Sequence, residues 1–383
     1  MMLDRRAFLA IAASSLLPIP RGVARLDGDG DDAILEAIIG IRDKTKLPGL
    51  TAAIVKPGSP LRLAATGLRK EGSPQAFTSG DLVHLGSCTK AMTATMIATL
   101  VEEGKLAWTS TLAKVFPNAT IHEGYREVTF TQLLTHRAGL PANGSWWTLG
   151  SEKSTTDQRR ELLRQVLIKP PRSKPGSEMF YSNVGYAMAS LMAETVTGLS
   201  WEDLMRERLF EPLQMSTAGF GAPGALGKVE QPWGHTRLLG KLIPNQKDNA
   251  PALGPAGTVH CSMADWAKFI ELHLRGGRGE KTVILKPESF RQLQTPAGGE
   301  TYAKGWVILD RDWAKGKALY HNGSNTSWMA VAWLAPSQNV AFLAVTNDGS
   351  GPAQKGCDEA IVAMIGIKGS TSATGAPKQA SAR

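Results

Sequence analysis

Strand-like sequence lies at both ends of this chain, and a largely helical stretch separates the two ends. LTAAIVKPGSPLRLAATGL (50–68) reads as two strands around a Pro-Gly-Ser turn. GWVILD (305–310), SWMAVAWLA (327–335) and NVAFLAVTN (339–347) read as adjacent strands, the last two joined by Pro336-Ser337-Gln338. DAILEAIIGIRDK (32–44) has helical apolar spacing, and PAQKGCDEAIVAMIG (352–366) reads as a closing helix. Between about 110 and 245, helical patterns such as TDQRRELLRQVLI and GYAMASLMAETVTGLSWEDLMRERLFEPL alternate with loops rich in Gly, Pro and Trp. A sheet drawn from both termini must close around such an insert. The expected fold class is therefore α+β: an antiparallel sheet flanked by helices, plus a mainly helical lobe. The sheet lobe is assigned to 25–109 and 250–368, the helical lobe to 110–249.

The bulk numbers exclude several function classes. The chain has 383 residues and a formal net charge of +9; residues 1–24 and 369–383 carry +2 each, which leaves +5 for the body. No block of Lys and Arg appears, so nucleic acid is not an expected partner. No run of 18 or more apolar residues reads as a membrane span. Cys88, Cys261 and Cys357 are far apart and form no metal-ligand spacing; buried thiols are expected, and an odd count leaves at least one unpaired. His84, His122, His136, His235, His260 and His273 form no ligand pattern either, so neither a metal nor another cofactor is expected.

The two ends read as processing and tail segments. MMLDRRAFLAIAASSLLPIPRGVA (1–24) has Arg5-Arg6, a short apolar run and a small-residue site at Gly22-Val23-Ala24. LDRRAFLA resembles a twin-arginine export signal, with Asp4 where Ser or Thr is more usual. A periplasmic location with no stable membrane anchor is expected. Residues 369–383 (GSTSATGAPKQASAR) are low in apolar residues and read as a disordered tail.

One short segment carries chemistry. In LVHLGSCTKAMTATMIATLVEE (82–103), Ser87 and Lys90 stand three apart where a strand turns into a helix. Spacing of three places both side chains on one helix face. A serine hydroxyl is a weak nucleophile at neutral pH and needs a nearby base. A desolvated Lys supplies one, and a helix N-terminus supplies N–H groups suited to an oxyanion. A capping serine beside a solvated lysine is the bland alternative. Met92, Met96 and Leu100 mark the buried face of the helix, read over 91–103.

Two later stretches extend the pattern: Phe180-Tyr181-Ser182-Asn183, and Tyr320-His321-Asn322-Gly323-Ser324 before the strand at 327–335. The order S-x-x-K, Y-x-N, H-x-G resembles the penicillin-recognising serine hydrolases. It is similar to the branch holding class C β-lactamases, D-alanyl-D-alanine carboxypeptidases and related esterases. Thr131-Gln132-Leu133-Leu134-Thr135-His136-Arg137-Ala138-Gly139-Leu140 and Gly254-Pro255-Ala256-Gly257 add to the resemblance, which spans roughly 30–366.

The resemblance implies roles. Ser87 is the acylated nucleophile, Lys90 holds the proton relay, and Tyr181 is the general base and the acid toward the leaving group. Asn183, His321, Gly323 and Ser324 bind substrate, with His321 on the sheet edge and the N–H groups of Ser87 and Ser324 forming the oxyanion hole. Tyr181 can act as a base only if a cation, here Lys90, lowers its phenol.

The third motif departs from the lysine usual in class C β-lactamases. His321 is expected to be only partly charged, which weakens carboxylate recognition. The expected function is a serine hydrolase acting through an acyl-enzyme on a small ester, a D-amino-acid peptide, another peptidoglycan-like molecule or a β-lactam-like amide. A dedicated class C-like β-lactamase and a non-catalytic wall-peptide or β-lactam sensor are the alternatives. An α/β-hydrolase fails for want of G-x-S-x-G. Trp146 and Trp147 either wall the cleft or pack into the core.

Overall fold

The computed structural model describes residues 28–370. The export signal expected at 1–24 lies outside the described residues, as does the expected tail apart from residues 369 and 370, which continue the closing helix.

In chain order the strands are β1 (Asp29–Gly30), β2 (Gly49–Val55), β3 (Arg62–Gly67), β4 (Leu82–His84), β5 (Gly219–Phe220), β6 (Gly234–Leu238), β7 (Lys241–Asn245), β8 (Val259–Ser262), β9 (Val307–Arg311), β10 (Gly316–Ser324), β11 (Met329–Ala335) and β12 (Val340–Thr346). The longer helices are α1 (Asp32–Thr45), α2 (Thr89–Glu102), α5 (Thr155–Leu167), α6 (Asn183–Thr197), α9 (Met263–Gly277) and α11 (Gly351–Ser370). Short helices α3 (Leu112–Val115), α4 (Phe130–Leu134), α7 (Trp201–Met205), α8 (Gly254–Gly257) and α10 (Pro287–Leu293) fill the intervals.

The main sheet is antiparallel, in the order β1-β3-β2-β12-β11-β10-β9. Its N- and C-terminal halves join where β2 pairs with β12, with Ala53 opposite Leu343. Both strands are buried along their whole length because helices cover both faces. Leu50, Ala52, Ile54, Phe342 and Ala344 face a core shared with Ile34 and Ile38 of α1 and Met364 of α11. The alternate residues Ala53, Val55, Leu343 and Val345 face the larger core that holds α2 and α9. Each fully buried Leu, Val or Phe contributes roughly 1.5–3 kcal/mol of apolar transfer. α1 starts at its N-cap Asp31, which accepts from the Ile34 amide, and ends at Lys46, whose φ of 56° stops the helix.

Two sequence expectations change here. Residues 305–310 and 327–335 are not neighbours: β10 lies between β9 and β11, so the third motif sits inside a strand. β9 pairs with β10 only as far as Val307 opposite Tyr320, so 321–324 form an edge free of β9. The middle segment also contains a hairpin, β6–β7. Its GHTRL and KLIPN strands lack a clean apolar alternation, and its strand signal is correspondingly weak.

The helix carrying Lys90 spans 89–102, and every residue from Thr89 to Leu100 is buried. Its threonines are tolerated because their hydroxyls bond locally or to a neighbour: Thr95 to Ala91 O, Thr99 to Met96 O and Thr93 to Pro255 O. Cys88, Cys261 and Cys357 are all buried and free. Among the described residues no helix is long and apolar enough to cross a membrane.

Candidate active site

Close backbone contact creates the site. Ser87 lies in a 3₁₀ turn, Gly86–Cys88, between β4 and α2. Gly86 has φ +47°, and a Cβ there would lie 2.3 Å from the amide nitrogen of Ser324. A Cβ on Gly323 would lie 2.1 Å from Leu85 O and 2.6 Å from Ser87 N. Only glycines let the turn and the free edge of β10 touch, with the Ser324 amide against Gly86 and the Ser87 amide against Gly323. The Cys88 thiol donates to His321 O at 3.7 Å and is buried in the same junction.

Lys90 is fully buried. Its Nζ has three partners: Ser87 Oγ at 3.0 Å, Asn183 Oδ1 at 2.8 Å and Ala256 O at 2.7 Å. Burial holds its pKa well below the ordinary lysine value. A neutral amine has two N–H groups and one lone pair. Asn183 and Ala256 are pure acceptors here, so an amine that has lost its third proton gives them its two hydrogens and keeps its lone pair for the Ser87 hydroxyl. This also explains why the Gly254–Gly257 segment matters: α8 presents the Ala256 carbonyl.

Tyr181 and Asn183 flank the start of α6, whose N-cap Ser182 accepts from Gly185 N at 3.1 Å. The Tyr181 phenol is close enough to Ser87 to be influenced by it, and its ring centroid is 4.8 Å from Lys90 Nζ. Burial pushes the phenol above its ordinary value, against the expectation that Lys90 would lower it. Tyr181 therefore faces the serine as a neutral proton donor or relay.

His321 also differs from expectation. Its Nδ1–H donates to Asn322 O at 2.5 Å, and its Nε2 accepts from the Tyr302 hydroxyl at 2.9 Å. Burial, with Lys90 nearby, lowers its pKa to about 3. The ring is neutral, with both nitrogens engaged, rather than partly charged.

Several residues to which the sequence reading gave no role at the site support these groups. His136 has φ +60°, and its Nδ1 accepts from Ser182 N at 3.1 Å. Its ring packs 4.3 Å from Tyr181 and 4.5 Å from Tyr302. His84 Nδ1 accepts from Gly86 N at 3.1 Å while Nε2 meets Asp248 at 3.0 Å. Asp248 in turn accepts from Asn325 at 3.0 Å. The available signal was adjacency: His84 stands three residues before Ser87, and Asn325 follows Ser324.

A cleft of about 880 Å³ opens beside Asn183 and Ser324. Trp146 and Trp147 both wall it, with Trp147 83% exposed. Asn143 and Asn249 also line it, and Asn143 Oδ1 accepts from Asn183 Nδ2 at 2.8 Å. Among the described residues no cluster of His, Cys, Asp and Glu could hold a metal ion.

Comparison with known proteins agrees with this architecture. Penicillin-binding protein 4 of Amycolatopsis lactamdurans is 26% identical over 82% of this chain and 84% of its own length. Protein flp of Staphylococcus aureus is 24% identical over 84% of this chain, which spans only 64% of flp. The octameric penicillin-binding protein homologue of Pyrococcus abyssi superposes with a TM-score of 0.72 at 25% identity, covering 88% of this chain and 77% of its own. The D-amino acid amidase of Ochrobactrum anthropi shares the fold, with a TM-score of 0.71 at 21% identity over 88% of this chain and 99% of its own. The family model described as Beta-lactamase matches residues 34–363. With that match across nearly all of the body, the chain belongs to the Beta-lactamase family of serine hydrolases and penicillin-binding-protein-like proteins.

Proposed function

We propose that this protein hydrolyses small esters or peptide-like amides, including D-amino-acid peptides, through an acyl-enzyme on Ser87. The observation that carries the reading is the Lys90 amine, buried and bonded to two pure acceptors with Ser87 Oγ at 3.0 Å. Ser87 Oγ attacks the carbonyl carbon as its proton passes to Lys90. The oxyanion that forms faces the amides of Ser87 and Ser324. As the bond to the leaving group breaks, Tyr181 delivers a proton to that group and is reprotonated from Lys90. Water then attacks the ester to Ser87 by the same relay and frees the enzyme.

The neutral, doubly bonded His321 ranks esters and amides without a carboxylate on the leaving side ahead of β-lactams. A β-lactam carries a carboxylate, and a neutral imidazole with both nitrogens occupied offers it no fixed cation. A sensor that only binds its ligand, without acylation, would have no need of a desolvated base on its serine. The proposed place of action is the periplasm, reached through the Arg5-Arg6 segment; replacing both arginines by lysine should trap the protein in the cytoplasmic fraction.

The test is intact mass and turnover with a chromogenic ester and with benzylpenicillin, beside Ser87→Ala. Turnover of the ester, with any adduct lost in Ser87→Ala, is expected. Unchanged hydrolysis in Ser87→Ala would overturn the mechanism. Fast benzylpenicillin consumption exceeding ester turnover would favour the β-lactamase.

A further inference from the structure

The cleft beside Asn183 and Ser324 has an uneven charge lining. Among the described residues, Lys169 and Arg172 are its only charged lining residues, and no carboxylate lines it. Neither has an acidic partner among the described residues. Cations nearby on α5 are paired instead: Arg160 with Asp157, Arg164 with Glu161, and Arg159 with Glu194 and Glu202. Arg172 is also held in place. Its guanidinium lies 3.4 Å from the centre of the Phe180 ring, and its backbone N–H donates to Gly139 O at 2.9 Å. Phe180 immediately precedes Tyr181, so this cation is anchored to the segment that builds the site.

The rest of the lining suits an extended molecule with an apolar body. Trp147, which is exposed, and Trp146, which also packs against the core, offer an aromatic wall. Asn143, Asn249 and Gln165 offer amides along the way. The lining includes Asn183 and Ser324 but not Ser87, Tyr181 or His321, so the cleft adjoins the reacting atoms rather than enclosing them. The leaving group must reach Tyr181, and the part of the substrate that stays on Ser87 is the part assigned to the cleft.

We propose that this cleft selects acyl groups that carry an apolar or aromatic body and end in a carboxylate or similar anion, held by Lys169 and Arg172. This rests on the acyl-enzyme reading above. It assigns anion recognition to the far end of the acyl side, away from the neutral His321.

The test uses p-nitrophenyl half-esters of glutaric, adipic and suberic acids, each with its far carboxylate free or methyl-capped. The leaving group is then constant, and each free/capped ratio is internal to one protein. For at least one chain length the free acid should be preferred by roughly three- to tenfold in kcat/KM, the range of one or two exposed ion pairs. Added salt should shrink the preference. The ratio should fall to about one in Lys169→Ala/Arg172→Ala and tip toward the capped ester in Lys169→Glu. Equal turnover of free and capped esters by the wild type, or a preference that survives the double substitution, would overturn the cleft assignment and leave the hydrolase reading standing. Absence of Ser87-dependent turnover of every ester would overturn both.

Discussion

The hydroxyl of Tyr302 lies 2.9 Å from Nε2 of His321, and both side chains are buried. The tautomer follows from the other nitrogen: Asn322 O can only accept, so Nδ1 carries the hydrogen and Nε2 accepts from the Tyr302 hydroxyl. Tyr302→Phe removes the donor and leaves a buried nitrogen unpaired, a loss of about 1–3 kcal/mol in stability. Chemical denaturation of the two proteins checks this, and a change below the noise would show that the bond contributes nothing. Because His321 titrates near 3 rather than 6.5, imidazole NMR should show no His321 transition between pH 5 and 8.

Lys90 should set the acid limb of activity. Its folded pKa is depressed by burial, so the amine is protonated and useless as a base at low pH. Activity should rise with pH through that depressed value. Stability should move the same way. Between the folded value and 10.5 the unfolded chain binds more protons than the folded one, so stability increases with pH across that window. Lys90→Arg holds a permanent charge and should lower kcat/KM by about 10²–10⁴-fold. A pH–rate profile that falls with rising pH from the acid side would contradict this assignment.

The contact between the nucleophile turn and β10 should tolerate no added carbon. Gly323→Ala places a Cβ 2.1 Å from Leu85 O, against backbone rather than a flexible side chain. A loss of about 2–4 kcal/mol and of most hydrolysis is expected. Gly240→Ala is the control: its φ is +81° but nothing lies within 4 Å, so only backbone strain of about 1–2 kcal/mol applies. Equal thermal shifts for the two variants would remove the steric argument.

Arg159 is a structural cation. It is fully buried and bonds to Glu194, itself buried, and to Glu202 at 2.9 Å. Arg159→Met strands the Glu194 charge in the core between α5 and α6, at a cost of about 3–5 kcal/mol. Stability measured by urea should fall, while the folded fraction keeps its kcat. A kcat loss without a stability loss would place Arg159 in the chemistry instead.

Local signals made most of the frame legible. The apolar runs of β2, β11 and β12 are continuous because helices bury both faces of the sheet, and such runs stand out in any sequence. Ser87 and Lys90 stand three apart, a spacing that reports proximity directly. The order of the three motifs was equally readable. Hairpin β6–β7 and strand β10 were harder to read, since GHTRL and GKALYHNGS mix polar and apolar residues without a clear period.

What the sequence by itself determined was the set of chemical groups, their order and the α+β class. Tertiary structure alone decided their state. Lys90 is desolvated by α6 and α8, Tyr181 by the packing of His136, and His321 by Tyr302. Those partners come from distant parts of the chain; Asn183 and Ala256 lie 93 and 166 residues from Lys90. A pKa follows from burial and from neighbours in space, and no linear pattern encodes either. The same holds for the cleft, where Trp147, Lys169 and Arg172 become one surface only once the chain has folded.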